Sequence, residues 1–121
     1  MSRCRIFRYL QDTLDFGLWF SSASALSIRA FSDADFAGCR VDRKSTSGTC
    51  HFFGNSLVSW SSRKQSSVAQ STAEAEYVAA ASSCSQVLWI LSTLRDYGLF
   101  LDSVPLFYDN TSAINIAKNN P

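Results

Sequence analysis

A chain of 121 residues with 46% hydrophobic and 17% charged content holds enough apolar material for one packed domain, which excludes a disordered tail. Its net charge of +1 excludes a global attraction to nucleic acid, so any such attraction must be local. No apolar run approaches the roughly 20 residues that span a bilayer, and Arg8, Gln11 and Asp12 interrupt what would have to be a signal-peptide core.

The four cysteines, Cys4, Cys39, Cys50 and Cys84, form no Cys-x-x-Cys pair, and with the single His51 they supply no zinc-ligand spacing. They read as reduced thiols of an intracellular, non-secreted protein, with Cys84 in the core. His51 alternates with Cys50 and Phe52 and reads as a partly exposed strand residue.

In chain order, Cys4 to Gln11 carries Ile6, Phe7 and Leu10 at helical spacing, the pattern of a helix tail. Leu14, Phe16, Leu18 and Phe20 then alternate as a strand or extended connector, and Ser21 to Ser27 is a loop. Leu26 to Phe36 predicts a central strand with apolar residues on both faces. Asp33 and Asp35 near its end are costly unless they line an opening or hold a cation. Gly38 to Thr46 is a polar turn. Ser47 to Phe53 and Ser56 to Ser62 predict a hairpin around Gly54-Asn55.

The long helix begins at Ser71-Thr72-Ala73-Glu74, a capping box in which the serine hydroxyl and the glutamate satisfy each other's amides. Tyr77, Ala80, Cys84, Leu88, Leu91 and Leu94 mark its apolar face, widened by Ala81, Val87 and Trp89, and Gly98 stops it. Val104 to Tyr108 is a short strand, with Pro105 suited to a beginning or an edge. Ala113, Ile114 and Ala117 predict a short helix over Thr111 to Lys118. A helix between two strands of one sheet makes those strands parallel. The first strand and Val104 to Tyr108 then end side by side in aspartates, where open parallel sheets place their sites.

Hard oxygen ligands at such a position suit magnesium, and two such ions can carry phosphodiester hydrolysis without a side-chain nucleophile. Glu74 has a capping task. Glu76, on the edge of the buried face, has none and is the better metal ligand. Asp33 and Asp35 share a face, and the deeper Asp33 is the better candidate; Asp35 is left to brace the turn or to bind through water. Asp109 is the third candidate, with a competing role as a turn residue capping the next helix. Arg40 to Lys44, Arg43 and Lys44 foremost, and Arg63-Lys64 are basic loops able to meet phosphate. A phosphatase reading, with Asp33 as nucleophile and Asp35 as acid, lacks the further lysine and acidic residues it needs.

Five blocks occur in order: Phe31-Ser32-Asp33-Ala34-Asp35-Phe36-Ala37-Gly38-Cys39, Asp42-Arg43-Lys44-Ser45-Thr46-Ser47-Gly48, Leu57-Val58-Ser59-Trp60-Ser61-Ser62, Ser71-Thr72-Ala73-Glu74-Ala75-Glu76-Tyr77 and Asp109-Asn110-Thr111-Ser112-Ala113-Ile114. Together they resemble the ribonuclease H domain of copia-type long-terminal-repeat retrotransposon Pol polyproteins. The resemblance implies an α/β, ribonuclease H-like fold: a mixed sheet of three antiparallel strands plus a parallel strand reached through a crossover helix, with the family's C-terminal strand and helix missing. It implies hydrolysis of the RNA strand of an RNA–DNA hybrid by two Mg2+ or Mn2+ ions during reverse transcription. Asp33, Glu76 and Asp109 fall on the family's catalytic and metal-binding carboxylates; Arg43, Lys44, Ser71 and Asn110 are the substrate-binding candidates.

Residues 1–25 resemble the tail of the reverse transcriptase connection region, and 26–121 the ribonuclease H-like domain, incomplete at its C-terminus. The reverse transcriptase part of the same polyprotein is the implied partner, no membrane is implied, and the implied location is a cytoplasmic particle or the nucleus. Two departures stand out. Phe36 replaces a larger aromatic, and the family's last strand and fourth carboxylate lie beyond Pro121, which leaves Val104 to Tyr108 as an exposed sheet edge. Weak cleavage or none is therefore expected, and a catalytically inactive relic that still binds nucleic acid is the alternative.

Overall fold

The computed structural model describes residues 3–22, 26–108 and 112–117, the last stretch by its backbone alone. Its elements are α1 (Arg3–Asp12), β1 (Ile28–Asp35), β2 (Thr46–Phe53), β3 (Ser56–Lys64), α2 (Thr72–Asp96), β4 (Ser103–Tyr108) and β5 (Ser112–Ala117). They form one five-stranded sheet in the order β3-β2-β1-β4-β5. β1, β2 and β3 are antiparallel, and β4 runs parallel to β1 after the α2 crossover. This is the mixed α/β sheet expected of a ribonuclease H-like fold. The β2–β3 hairpin turns on Gly54-Asn55, with Gly54 at φ 59°.

Side chains alternate across the sheet, and the two faces differ in kind. Toward α2, Ile28 and Ala30 of β1 and Val104 and Leu106 of β4 meet Val87, Ile90 and Leu91. Full burial of each large aliphatic side chain is worth about 1.5–3 kcal/mol, so this layer holds the helix down. The opposite face carries Phe31 stacked on Phe107, with centroids 5.1 Å apart, and Phe52 edge-on to Phe31 at 5.7 Å. Parallel pairing of β4 with β1 runs from Leu106 to Tyr108, past Pro105, so the missing proline amide costs that ladder nothing.

α2 begins and ends as its sequence dictates. Ser71 lies in the extended region and accepts the Glu74 amide at 3.1 Å. The Glu74 carboxylate reaches back to the Gln70 amide at 2.8 Å, one residue before the cap amide that a capping box predicts. At the other end Gly98 takes φ 76°, Leu99 N–H bonds Leu94 O, and Gly98 N–H bonds Arg95 O, a complete Schellman stop.

Four expectations are corrected. Ser112–Ala117 is a strand, not a helix; Thr111 and Lys118 lie outside the described residues. Ile114 and Ile116 alternate at the strand period and register with Leu106 and Val104, which satisfies the open ladder of β4. For the same reason β4 is not an exposed edge. The buried face of α2 is centred on Ala75, Ala79, Ser83, Val87, Ile90 and Leu91, whereas Tyr77, Leu88 and Trp89 are exposed. Small residues lie beneath the first half of the helix because it rests close to β1 and β2. Finally, α2 is by length and composition apolar enough to cross a membrane, since alanines, serines and a cysteine fill the gaps between its larger side chains.

Candidate metal-binding site

The end of the sheet where β1 stops is joined to the start of α2 by a buried polar node. Gln65, just past β3, sends Nε2 to Ser47 Oγ at 2.9 Å and to the Ala75 carbonyl at 3.0 Å. Its own amide donates to Ser45 O at 2.8 Å, and Ser45 Oγ accepts the Ala37 amide at 3.0 Å. Gln65, Ser45 and Ser47 are all buried. Ser47 pairs with Ala34 of β1, so one glutamine ties the residue before Glu76 to the residue after Asp33. Sequence reasoning missed this residue: a lone glutamine after a basic strand end carries no pattern that marks it as buried.

Asp33 is exposed, with Oδ1 accepting the Ala34 amide at 2.8 Å. It lines a cleft of about 770 Å³ on the sheet face opposite α2, together with Phe31, Gly48, Cys50 and Phe107. The exposed Asp35 carboxylate lies in the space above Gly38 that a Cβ would occupy.

Glu76 is half-buried, with Oε2 removed from solvent. It begins the helix stripe that continues through Ala80 and Cys84, both packed on the β1–β4 core. Glu74 is exposed and spent on the cap. Asp109 and Asn110 lie outside the described residues. Ser32 and Tyr108, the residues just before Asp33 and Asp109 in sequence, are register partners. Among the described residues no three His, Cys, Asp or Glu side chains gather as a metal cluster.

The basic candidates divide. Arg43 is exposed in the left-handed region, at φ 58°. Lys44 is half-buried, and its amide donates to Asp42 Oδ1 at 3.1 Å. Lys64 is committed elsewhere, at 2.6 Å from Asp42 and 3.4 Å from Cys39 Sγ. The Lys64 ammonium, then the Lys44 amide, hold the Asp42 carboxyl well below the usual carboxylate range. This pair pins the 36–45 loop to the end of β3. The Ser71 oxygen is occupied by its capping bond.

His51 is not a partly exposed strand residue. It is fully buried under α2, with Nε2 3.0 Å from Ser83 Oγ. The strand alternation points it at the helix, and Ser83 supplies the polar partner that burial demands. Burial pushes its pKa below the ordinary imidazole value, against the Ser83 carbonyl. Cys84 packs against the core as expected, and burial raises both its thiol and that of Cys50.

With this geometry in hand, comparison with known proteins is informative. The chain is 40% identical over 116 residues, 95% of its length, to the retrovirus-related Pol polyprotein from transposon RE2 of Arabidopsis thaliana. Its homologues are retrovirus-related Pol polyproteins from transposons. The corresponding polyprotein from transposon TNT 1-94 of Nicotiana tabacum is 36% identical over 115 residues, again 95% of the chain. A protein of another name, secreted RxLR effector protein 161 of Plasmopara viticola, is 41% identical over 91 residues, 75% of this chain and 64% of its own. The chain spans only 8% of the RE2 polyprotein and 9% of the TNT 1-94 polyprotein. No family model matches the chain, and no solved structure matches it.

Proposed function

We propose that the chain is a ribonuclease H-type nuclease region of a retrotransposon Pol polyprotein, acting on the RNA strand of RNA–DNA hybrids beside the reverse transcriptase part of the same polyprotein. One observation carries the reading: the node of Gln65, Ser47 and Ala75 fixes the start of α2, with Glu76, to the end of β1 that bears Asp33. Similarity to Pol polyproteins over 95% of the chain supports it.

The donor chemistry fits a hard divalent cation, since Asp33 and Glu76 offer carboxylate oxygens at a sheet end, with Asp109 as the proposed third. Magnesium or manganese, when bound, supplies activation of a water and charge stabilisation at the leaving oxygen. The chain's own residues do the rest. Asp33 and Glu76 would hold the cations, Gln65 keeps the two elements in register, and the open cleft beside Asp33 would admit the phosphodiester backbone. Arg43 and Lys44 are the residues proposed to meet flanking phosphates.

The test is cleavage of a labelled RNA–DNA hybrid as magnesium is titrated in. Asp33→Asn and Glu76→Gln should each abolish it while leaving the far-ultraviolet circular dichroism spectrum unchanged. Folded wild-type protein that binds hybrid and never cuts it would favour the inactive nucleic-acid-binding reading.

A further inference from the structure

We propose that the open face of the sheet is a base-stacking platform for single-stranded nucleic acid. The two faces bury different chemistry. The α2 side is aliphatic, built on Ile28, Ala30, Val104 and Leu106, whereas the open side is aromatic. Phe31 and Phe107 stack at 5.1 Å, Phe52 meets Phe31 edge-on, and the Arg29 guanidinium lies 5.6 Å from the Phe52 centroid. Trp60 pairs with Cys50 on the same face and is 63% exposed. Flat rings beside a guanidinium are what unpaired bases stack on, because every base has a π-face whatever its sequence.

The electrostatics run along the face. Arg29 stands near the start of β1, where its guanidinium donates to the Gly54 carbonyl at 3.2 Å and has further N–H groups able to meet a phosphate, while Asp33 stands four residues on and lines the cleft. At roughly 3.3 Å per residue that separation is about 13 Å, room for about four stacked bases at roughly 3.4 Å each. Gly48, the register partner of Asp33, leaves the floor beside that carboxylate without a side chain. The proposal borrows from the nuclease reading only the neighbourhood of Asp33, and base stacking itself requires no metal.

The experiment measures fluorescence anisotropy of a fluorescein-labelled oligouridylate, and separately an oligothymidylate, with the whole chain in EDTA. Both probes should bind. Phe107→Leu and Trp60→Leu, which keep apolar bulk and remove a ring, should each weaken binding about tenfold, in line with the loss of one stacked base. Asp33→Asn should bind at least as well as wild type, so loss of cleavage and loss of stacking are read separately. Three results overturn the platform: no binding by folded wild-type protein, equal affinity in both ring variants, or a dimer in sedimentation that Phe107→Leu dissociates. The last would mean that a second copy covers this face.

Discussion

Replacing Gln65 by leucine tests whether one buried side chain couples α2 to the strand ends. The substitution keeps apolar bulk and the Gln65 amide bond to Ser45, but removes both Nε2 bonds, at 2.9 and 3.0 Å. Ser47, 5% exposed, then loses the partner that its hydroxyl has from Gln65. Stranding one buried hydroxyl costs about 1–3 kcal/mol, and the lost bond to the Ala75 carbonyl adds roughly 0.5–1.5. The sum, about 2–4 kcal/mol, lowers the melting temperature by roughly 8–16 °C for a domain of this size. Urea titration followed by circular dichroism reads it directly. Adding Ser47→Ala should restore part of the loss, since removing both partners of a buried bond is far less costly than removing one. Hydrogen exchange should localise the damage to the first turns of α2. A change below about 0.5 kcal/mol, or no recovery in the double variant, would refute the coupling.

Two further outcomes follow from the same contacts. The depressed pKa of His51 means that the unfolded chain binds more protons than the folded one, so its contribution to stability is complete above the ordinary imidazole value of 6.5 and is lost as pH falls below it. Urea midpoints should drop on acidification in wild type and drop less in His51→Gln, with an unchanged slope in the variant counting against the account. Ser71→Ala should cost about 1 kcal/mol of stability and Ser71→Gly only a few tenths, since glycine is tolerated at an N-cap; equal losses would show that the hydroxyl does not cap.

Sequence made the crossover architecture legible because its signals are local. The capping serine, the Gly98 stop and the Gly54-Asn55 turn each act within a few residues. Less visible was whatever depends on partners distant in the chain. The burial of His51 is decided by Ser83, 32 residues away, and that of Gln65 by Ser47 and Ala75. The rotation of α2 is hard to read because Tyr77, Leu88 and Trp89 outweigh small residues in any count of apolar side chains, yet the buried face starts on Ala75, Ala79 and Ser83 before Val87, Ile90 and Leu91. Residues 112–117 carry both a helical and a strand period, and the open ladder of β4 decided between them. Of the three proposed metal ligands, Asp33 lines the open face of the sheet and Glu76 lies in the first turns of α2, while Asp109 lies outside the described residues.

The most direct measurement of the central claim is a strand-resolved one, with an RNA–DNA hybrid labelled on the RNA in one reaction and on the DNA in another. The account predicts slow cutting of the RNA strand alone, dependent on magnesium or manganese, stopped by EDTA and absent in Asp33→Asn. Cutting that persists in EDTA, cutting of both strands alike, or activity untouched by Asp33→Asn would contradict it.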